Sequence, residues 1–118
     1  MITFEEAEII LEEIAEALPS AIFDGLNGGY VLTPEVKMDK NGLYILGHYH
    51  VQPNGLGRYI TIYHGSIEAV YGNMNERGWR RKLKEVLHHE LTHHLEHQAG
   101  DRSLEIQDEI DRAGYLRR

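Results

Sequence analysis

The sequence contains no cysteine, so disulfide bonds are excluded and the redox compartment stays open. It also lacks any apolar run near the roughly 18 residues that a membrane-spanning helix needs. Its first residues are acidic and amphipathic, whereas a secretory signal has a basic start followed by an apolar run. These absences predict a cytoplasmic protein that neither crosses nor binds a membrane.

Positive charge is scarce as well. The chain has 12 Lys and Arg against 19 Asp and Glu, a formal net charge of −7 with His neutral. An acidic balance of this size disfavours nucleic acid or an anionic membrane as a partner. The 118 residues are enough for one domain with its own core, so residues 1–118 are expected to form a single domain.

The most informative pattern that is present is the five-residue run from His89 to His93, which reads His-Glu-Leu-Thr-His. On a helix, two histidines four residues apart differ by about 40° in direction and about 6 Å in rise. Both imidazoles can therefore bind one ion, and Glu90 projects beside them. This is the arrangement of zinc peptidases, in which two histidines hold Zn²⁺ and the glutamate acts as general base on a water molecule.

The run lies in a segment with strong helical periodicity. Asn75 is a plausible N-cap and Gly100 a plausible stop. With His89 at 0°, His93 falls at about 40° and Glu90 at about 100°. Next to them, at about 120° to 240°, runs a stripe of leucines: Leu83, Leu87, Leu91 and Leu95. The predicted metal site therefore borders the buried face of the helix.

Three further histidines, His88, His94 and His97, are interpreted as residues of a charged helix surface and not as metal ligands. His97 continues the four-residue spacing but lies about 12 Å along the axis from His89. Each Zn–N bond is only about 2.0–2.1 Å long. A straight helix therefore cannot bring all three rings to one ion.

A catalytic zinc usually has three protein ligands. The extended metzincin pattern fails here, because Glu96 replaces its glycine and Ala99 its third histidine. The chain is instead expected to turn near Gly100 and form a second helix capped by Ser103. Glu105 in its first turn is the predicted third ligand, with Asp101 as an alternative and Asp108 as a residue that orients a ligand histidine.

The remaining segments predict an α+β fold with a small sheet packed against the motif helix. Thr3 and Glu6 form a capping box that opens a helix to about Leu18. Three strands follow, at residues 30–32, 43–49 and 58–64. Ser66 is a possible cap for a short helix to about Tyr71. Residues 58–64 are the candidate edge strand for an extended peptide substrate, although an ordinary paired strand fits the same pattern.

Together these segments resemble the small bacterial zincin-like metallopeptidase family. The resemblance runs nearly end to end and is carried by the segments 25–29, 43–47, 62–66, 89–96 and 104–109. It implies a minimal zincin-like α+β fold, zinc on His89 and His93, and Glu90 as the base. Many members of that family carry H-E-x-x-H-H-x-G with an aspartate soon after. This chain departs there with a longer helix, so the resemblance assigns no third ligand.

The sequence thus predicts a zinc-dependent metallopeptidase that acts on peptides or unfolded protein segments. One alternative is a non-catalytic module in which zinc only ties the helices together. Another is a metal-assisted hydrolase of other amide or phosphoester bonds. The donor that would stabilise the oxyanion is left open among four residues: Tyr63, His64, Arg80 and Tyr115.

Overall fold

The structure of the protein is a computed structural model that describes residues 2–100. The elements, in chain order, are α1 (Phe4–Glu16), a 3₁₀ turn (Ser20–Phe23), β1 (Gly29–Thr33), β2 (Gly47–Gln52), β3 (Gly57–Tyr63), α2 (His64–Tyr71) and α3 (Glu76–Gln98). No helix within residues 2–100 is long and apolar enough to cross a membrane.

The three strands form one mixed sheet in the order β1-β3-β2. β3 pairs in parallel with β1 and antiparallel with β2. Ile60 and Ile62 of β3 are fully buried, and Tyr49 of β2 and Leu32 of β1 are nearly so. In this register Ile60 is opposite Tyr49, and Ile62 is opposite Leu32 and Gly47. One face of the sheet is therefore apolar.

That apolar face packs against the helices. α3 contacts both β2 and β3, and α1 packs along α3. The α3 side chains in the core include Trp79, Leu83, Val86 and Leu87, all with no exposed surface. The chain is thus an α+β protein with a small sheet against the motif helix, as the sequence predicts.

The helix ends follow local sequence signals. Thr3 and Glu6 form the predicted capping box at the start of α1, and Asn75 caps α3 by accepting a hydrogen bond from the Gly78 N–H. Gly100, just beyond α3, has a φ of +75°, the left-handed conformation in which glycine commonly ends helices. α1 ends two residues earlier than predicted, at Glu16.

Other predicted boundaries are wrong. The second strand begins at Gly47, four residues after the expected start, because residues 43–46 belong to the connection from β1. α2 begins at His64, so Ser66 lies within the helix, where its hydroxyl bonds to the main chain of Lys37. The strand expected at 58–64 is β3, which is the central strand. Because both its edges are paired, it cannot accept a substrate strand.

The leucine stripe is also shorter than predicted. Leu83, Leu87 and Leu91 are buried, but Leu95 is 44% exposed. Residues spaced by four advance about 40° per step around a helix. After three steps the stripe has rotated about 120°, which takes Leu95 out of the core.

Candidate metal centre

α3 brings His89, Glu90 and His93 to one place at the border of the core. Glu90 is 2% exposed and His93 8% exposed, whereas His89 is half-buried. Val86, one turn before Glu90, is fully buried. The three residues of the motif therefore occupy the flank of the helix where the packed face meets solvent, as the spacing predicts.

The two imidazoles have the geometry of a chelating pair. Their Nε2 atoms are 3.1 Å apart, and their ring planes are nearly perpendicular, at 88°. Two nitrogens bound to one tetrahedral Zn²⁺ at about 2.05 Å would be separated by about 3.3 Å. Since a metal lies in the plane of each imidazole that binds it, crossed planes with adjacent Nε2 atoms fit one ion.

A second pair of histidines does not fit in the same way. His48 and His50 on β2 are stacked, with ring centroids 4.1 Å apart and planes 7° apart. Nearly parallel planes do not meet at an ion between the rings. His50 also stacks on Tyr59, and its Nε2 lies 3.1 Å from the hydroxyl of Thr61. Of these two pairs, the one on α3 has the geometry of a chelate.

The carboxylate of Glu90 lies over the first residue of β2. A Cβ placed on Gly47 would be 3.2 Å from Glu90 Oε2 and 2.7 Å from Val86 Cγ1. Glycine therefore leaves the room in which α3 approaches the strand and Glu90 reaches the sheet edge. The sequence analysis gives Gly47 no role in the site. Its signal was a glycine inside a strand pattern, which often marks a close approach of another group.

Glu96 is a second residue that the sequence prediction did not use. Its Oε1 lies 3.9 Å from Nδ1 of His93, three residues earlier on the helix. The distance is too long for a hydrogen bond, but a carboxylate on this side favours a proton on Nδ1. Nε2, which faces His89, then keeps its lone pair for a metal. The i, i+3 spacing on a helix was the available signal.

His94 is not the surface residue that the sequence predicts. Its ring has no exposed surface, and both nitrogens are bonded. Nε2 donates to the main-chain carbonyl of Asp24, 2.7 Å away. Nδ1 is then left to accept from the hydroxyl of Tyr49 at 2.8 Å. His94 therefore joins α3 to β2 and to the segment after the 3₁₀ turn, and its nitrogens are not available to a metal.

Of the four possible oxyanion donors, Tyr63 is the described one whose pKa responds to the charge of Glu90. Burial raises the pKa of Tyr63, and the charges of Glu35 and, more weakly, Glu90 raise it further. Arg80 is ion-paired with Glu13 on α1. His64 packs on Trp79 and Phe4 instead. The fourth residue, Tyr115, lies outside the described residues.

The predicted third metal ligand also lies outside the residues that the structure describes. Glu105, its alternatives Asp101 and Asp108, and the helix expected from Ser103 are all beyond residue 100. Within residues 2–100, no group of three or more His, Asp or Glu side chains is placed to hold a metal. Within the described residues the motif thus brings two imidazole nitrogens close together, and the predicted carboxylate ligand lies outside that part of the chain.

Comparison with known proteins gives a similarity to a solved structure. No family model matches the chain, and no curated protein matches it. Among solved structures, a conserved hypothetical protein from Thermus thermophilus is 33% identical, with a TM-score of 0.70. The match covers 83% of this chain and 98% of that protein.

Proposed function

The chain belongs to the same family as the conserved hypothetical protein from Thermus thermophilus, and we propose that it is a zinc-dependent metallopeptidase. The observation that carries this proposal is the approach of His89 Nε2 to His93 Nε2, 3.1 Å apart, beside a buried carboxylate. In this proposal the two histidines are metal ligands, Glu105 is the third ligand, and Glu90 is the catalytic base.

The chemistry of the donors suits zinc. Neutral imidazole nitrogens are common zinc ligands, and catalytic sites often combine two histidines with one carboxylate. When bound, zinc lowers the pKa of a water molecule to about 7 and polarises a carbonyl oxygen. The carboxylate of Glu96, 3.9 Å from Nδ1 of His93, favours the tautomer that leaves Nε2 for a metal. The rest of the reaction depends on side chains of the chain itself.

Glu90 is placed to move the proton. Its carboxylate follows a ligand histidine directly in sequence and lies against the start of β2. In the proposed reaction a carboxylate oxygen of Glu90 accepts a proton from the attacking water. The same oxygen then gives this proton to the nitrogen of the leaving amine, so the base ends the cycle as it began.

Tyr63 is our candidate for the oxyanion donor. The usual pKa of a tyrosine, 10.0, already lies well above neutral pH, and burial and the charges of acidic groups raise the pKa of Tyr63 further, so the phenol carries its proton. A protonated phenol can donate a hydrogen bond to an oxygen that gains negative charge.

The proposed peptide substrate is supported by the position of β2. In the described sheet β2 is an edge strand, and it begins at Gly47, beside Glu90. An extended peptide can add to such an edge through main-chain hydrogen bonds. A peptide bound in this way would have a peptide bond near Glu90. Main-chain pairing does not depend on any particular substrate side chain, which suits peptides or unfolded protein segments as substrates. The cytoplasmic location predicted from the sequence stays a prediction.

The alternative of a purely structural zinc site is less well supported. The hydrophobic core of the described residues joins α1, the sheet and α3 through apolar side chains. His89 and His93 lie at the border of this core, His89 half-buried and His93 buried. A metal at this point is therefore not needed to bring the helices and the sheet together.

The test is Glu90→Gln, which keeps the shape of the side chain but removes the base. Loss of a general base is expected to lower hydrolysis of a labelled unfolded protein by about 10²–10⁴-fold. Zinc titration of the same variant should still give one bound ion per chain. Glu76→Gln, in the exposed first turn of α3, is the control and should keep full activity. Hydrolysis by Glu90→Gln at the wild-type rate would refute the mechanism.

A further inference from the structure

A second surface feature lies on the opposite edge of the sheet from the metal centre. A cavity of about 240 Å³ opens between α1 and β1, lined by Glu8, Leu11, Glu12, Tyr30, Val31 and Leu32. β1 and β2 are on opposite sides of β3, so about 10 Å of sheet separates this groove from the strand beside Glu90. The groove therefore belongs to a different surface.

The groove follows the main chain of β1. Tyr30, Val31 and Leu32 are consecutive, and side chains of consecutive strand residues point to opposite faces of a sheet. Three consecutive strand residues can line one cavity only if that cavity runs along the edge of their strand. Within residues 2–100, β1 pairs with β3 alone. Its outer edge therefore presents main-chain N–H and C=O groups, with the side chain of Val31 51% exposed beside them.

The wall of the groove is acidic. Glu8 and Glu12 are exposed and lie one turn apart on α1, and Glu16 follows one turn later. None of the three forms an ion pair within the described residues. Burial raises the pKa of Tyr30, and the charges of Glu12 and Glu16 raise it further. The negative potential of α1 therefore extends to the strand.

The charges of Glu8 and Glu12 determine what kind of strand can pair with the outer edge of β1. A second copy of the chain would bring its own Glu8 and Glu12 to the same place, so repulsion disfavours self-pairing. A basic strand is favoured instead. Helix residues four apart are separated by a rise of about 6 Å, and alternate residues of a strand are about 6.6 Å apart. Lysines or arginines at alternate positions of an extended segment thus match the spacing of Glu8 and Glu12.

We propose that the outer edge of β1 binds an extended, basic segment of a partner protein as an added strand. Main-chain hydrogen bonds to β1 supply the pairing, as in other cases of strand addition. Basic side chains face Glu8 and Glu12. Apolar side chains at the intervening positions lie on the side of the exposed Val31. The site is independent of the metal centre and of its proposed activity.

The test uses a blocked heptapeptide of alternating Lys and Val, titrated into the full chain carrying Glu90→Gln so that no hydrolysis interferes. Amide resonances of residues 29–33 are expected to shift. The charge swap Glu8→Lys with Glu12→Lys should weaken binding at least tenfold and should create binding of a Glu-Val heptapeptide. Glu68→Lys with Glu76→Lys makes the same change of net charge at exposed positions of α2 and α3, outside both elements that line the groove, and binding should stay within twofold.

Strand addition is tested separately in the peptide, where no protein variant has to fold. An added strand bonds to its neighbour through alternate residues. N-methylation of one alternate set of amides should therefore abolish binding, and methylation of the other set should not. The proposal is overturned by equal binding of both methylated peptides, by an unchanged affinity after the charge swap, by shifts confined to β2 and α3, or by no binding at millimolar peptide.

Discussion

His93 and His94 are neighbours in sequence, but about 100° of helical rotation separates their side chains. His93 turns toward His89 at the border of the core. His94 turns into the core, where Tyr49 and the carbonyl of Asp24 bond both of its nitrogens. One residue is suited to bind an ion and the other to hold three parts of the chain together.

Leucine substitutions should separate these two roles. His94→Leu leaves the buried hydroxyl of Tyr49 without its acceptor, and an unsatisfied buried group costs about 1–3 kcal/mol. We therefore expect urea unfolding of the metal-free protein to show a loss of that size, with one zinc still bound per chain. His93→Leu should abolish zinc binding and change the free energy of unfolding less. The roles are wrongly assigned if His94→Leu loses zinc at full stability.

The helical wheel already contained the signal for His94. With His89 at 0°, His94 falls at about 140°, between Leu83 at about 120° and Leu87 at about 160°. Its burial was thus predictable from angle, but a histidine among charged residues was interpreted as surface. The partners of its nitrogens were not predictable, because Tyr49 and Asp24 are distant in sequence. Such contacts depend on how the sheet meets the helix.

Between elements, Gly47 sets how closely β2 approaches α3. The strand residue has no side chain where Val86 and Glu90 need the space. The distance between the two elements and the position of the carboxylate are therefore linked. This link joins the packing of the fold to the proposed catalytic geometry.

Gly47→Ala should disturb both the packing of β2 on α3 and the position of the Glu90 carboxylate. The added Cβ would lie 2.7 Å from Val86 Cγ1 and 3.2 Å from Glu90 Oε2, and overpacking of this kind costs about 1–3 kcal/mol. Urea unfolding should show that loss, and peptide hydrolysis should fall because Glu90 is displaced. Val86→Ala removes the closest atom, so the double variant should be more stable than the sum of the single changes predicts. Strict additivity would show that the contact does not limit the approach.

Elements differ in how well the sequence predicts them. The caps of α1 and α3 follow from Thr3, Glu6 and Asn75, because capping depends on residues within one turn. Strand order does not follow from local pattern. β3 alternates like a half-buried edge strand, but it is central because β1 pairs with it in parallel across the whole β2 hairpin. An edge strand and a central strand with this alternation can be told apart only once the pairing of the whole sheet is known.

At the scale of the whole molecule, the described sheet has one covered face and two outer edges. One face is covered by α1 and α3 and holds the core. The two outer strands then leave two edges, and each edge lies beside a helix with acidic groups. α3 places Glu90 at the start of β2, and α1 places Glu8 and Glu12 along β1. The described part of the fold thus has two outer strand edges, one beside the proposed catalytic base and one beside Glu8 and Glu12.

The stability of the whole molecule should also depend on pH through a histidine remote from both edges. His64, at the start of α2, is 5% exposed and lies between the rings of Phe4 and Trp79. Burial lowers its pKa below the usual 6.5, although Glu68 and Glu5 oppose this shift. The folded protein therefore takes up this proton at a lower pH than the unfolded chain.

The direction of the pH dependence follows from this difference in the pKa of His64 between the folded and unfolded protein. Above about pH 6.5 the imidazole is neutral in both states, and it contributes no pH dependence. As the pH falls below that value, the unfolded chain is protonated first, so the free energy of unfolding decreases until the folded pKa is passed. His64→Phe keeps a ring on Trp79 without the charge. Its urea midpoint should therefore fall less than that of the wild type between about pH 7.5 and pH 5. Equal losses in the two proteins would show that protonation elsewhere determines the acid sensitivity.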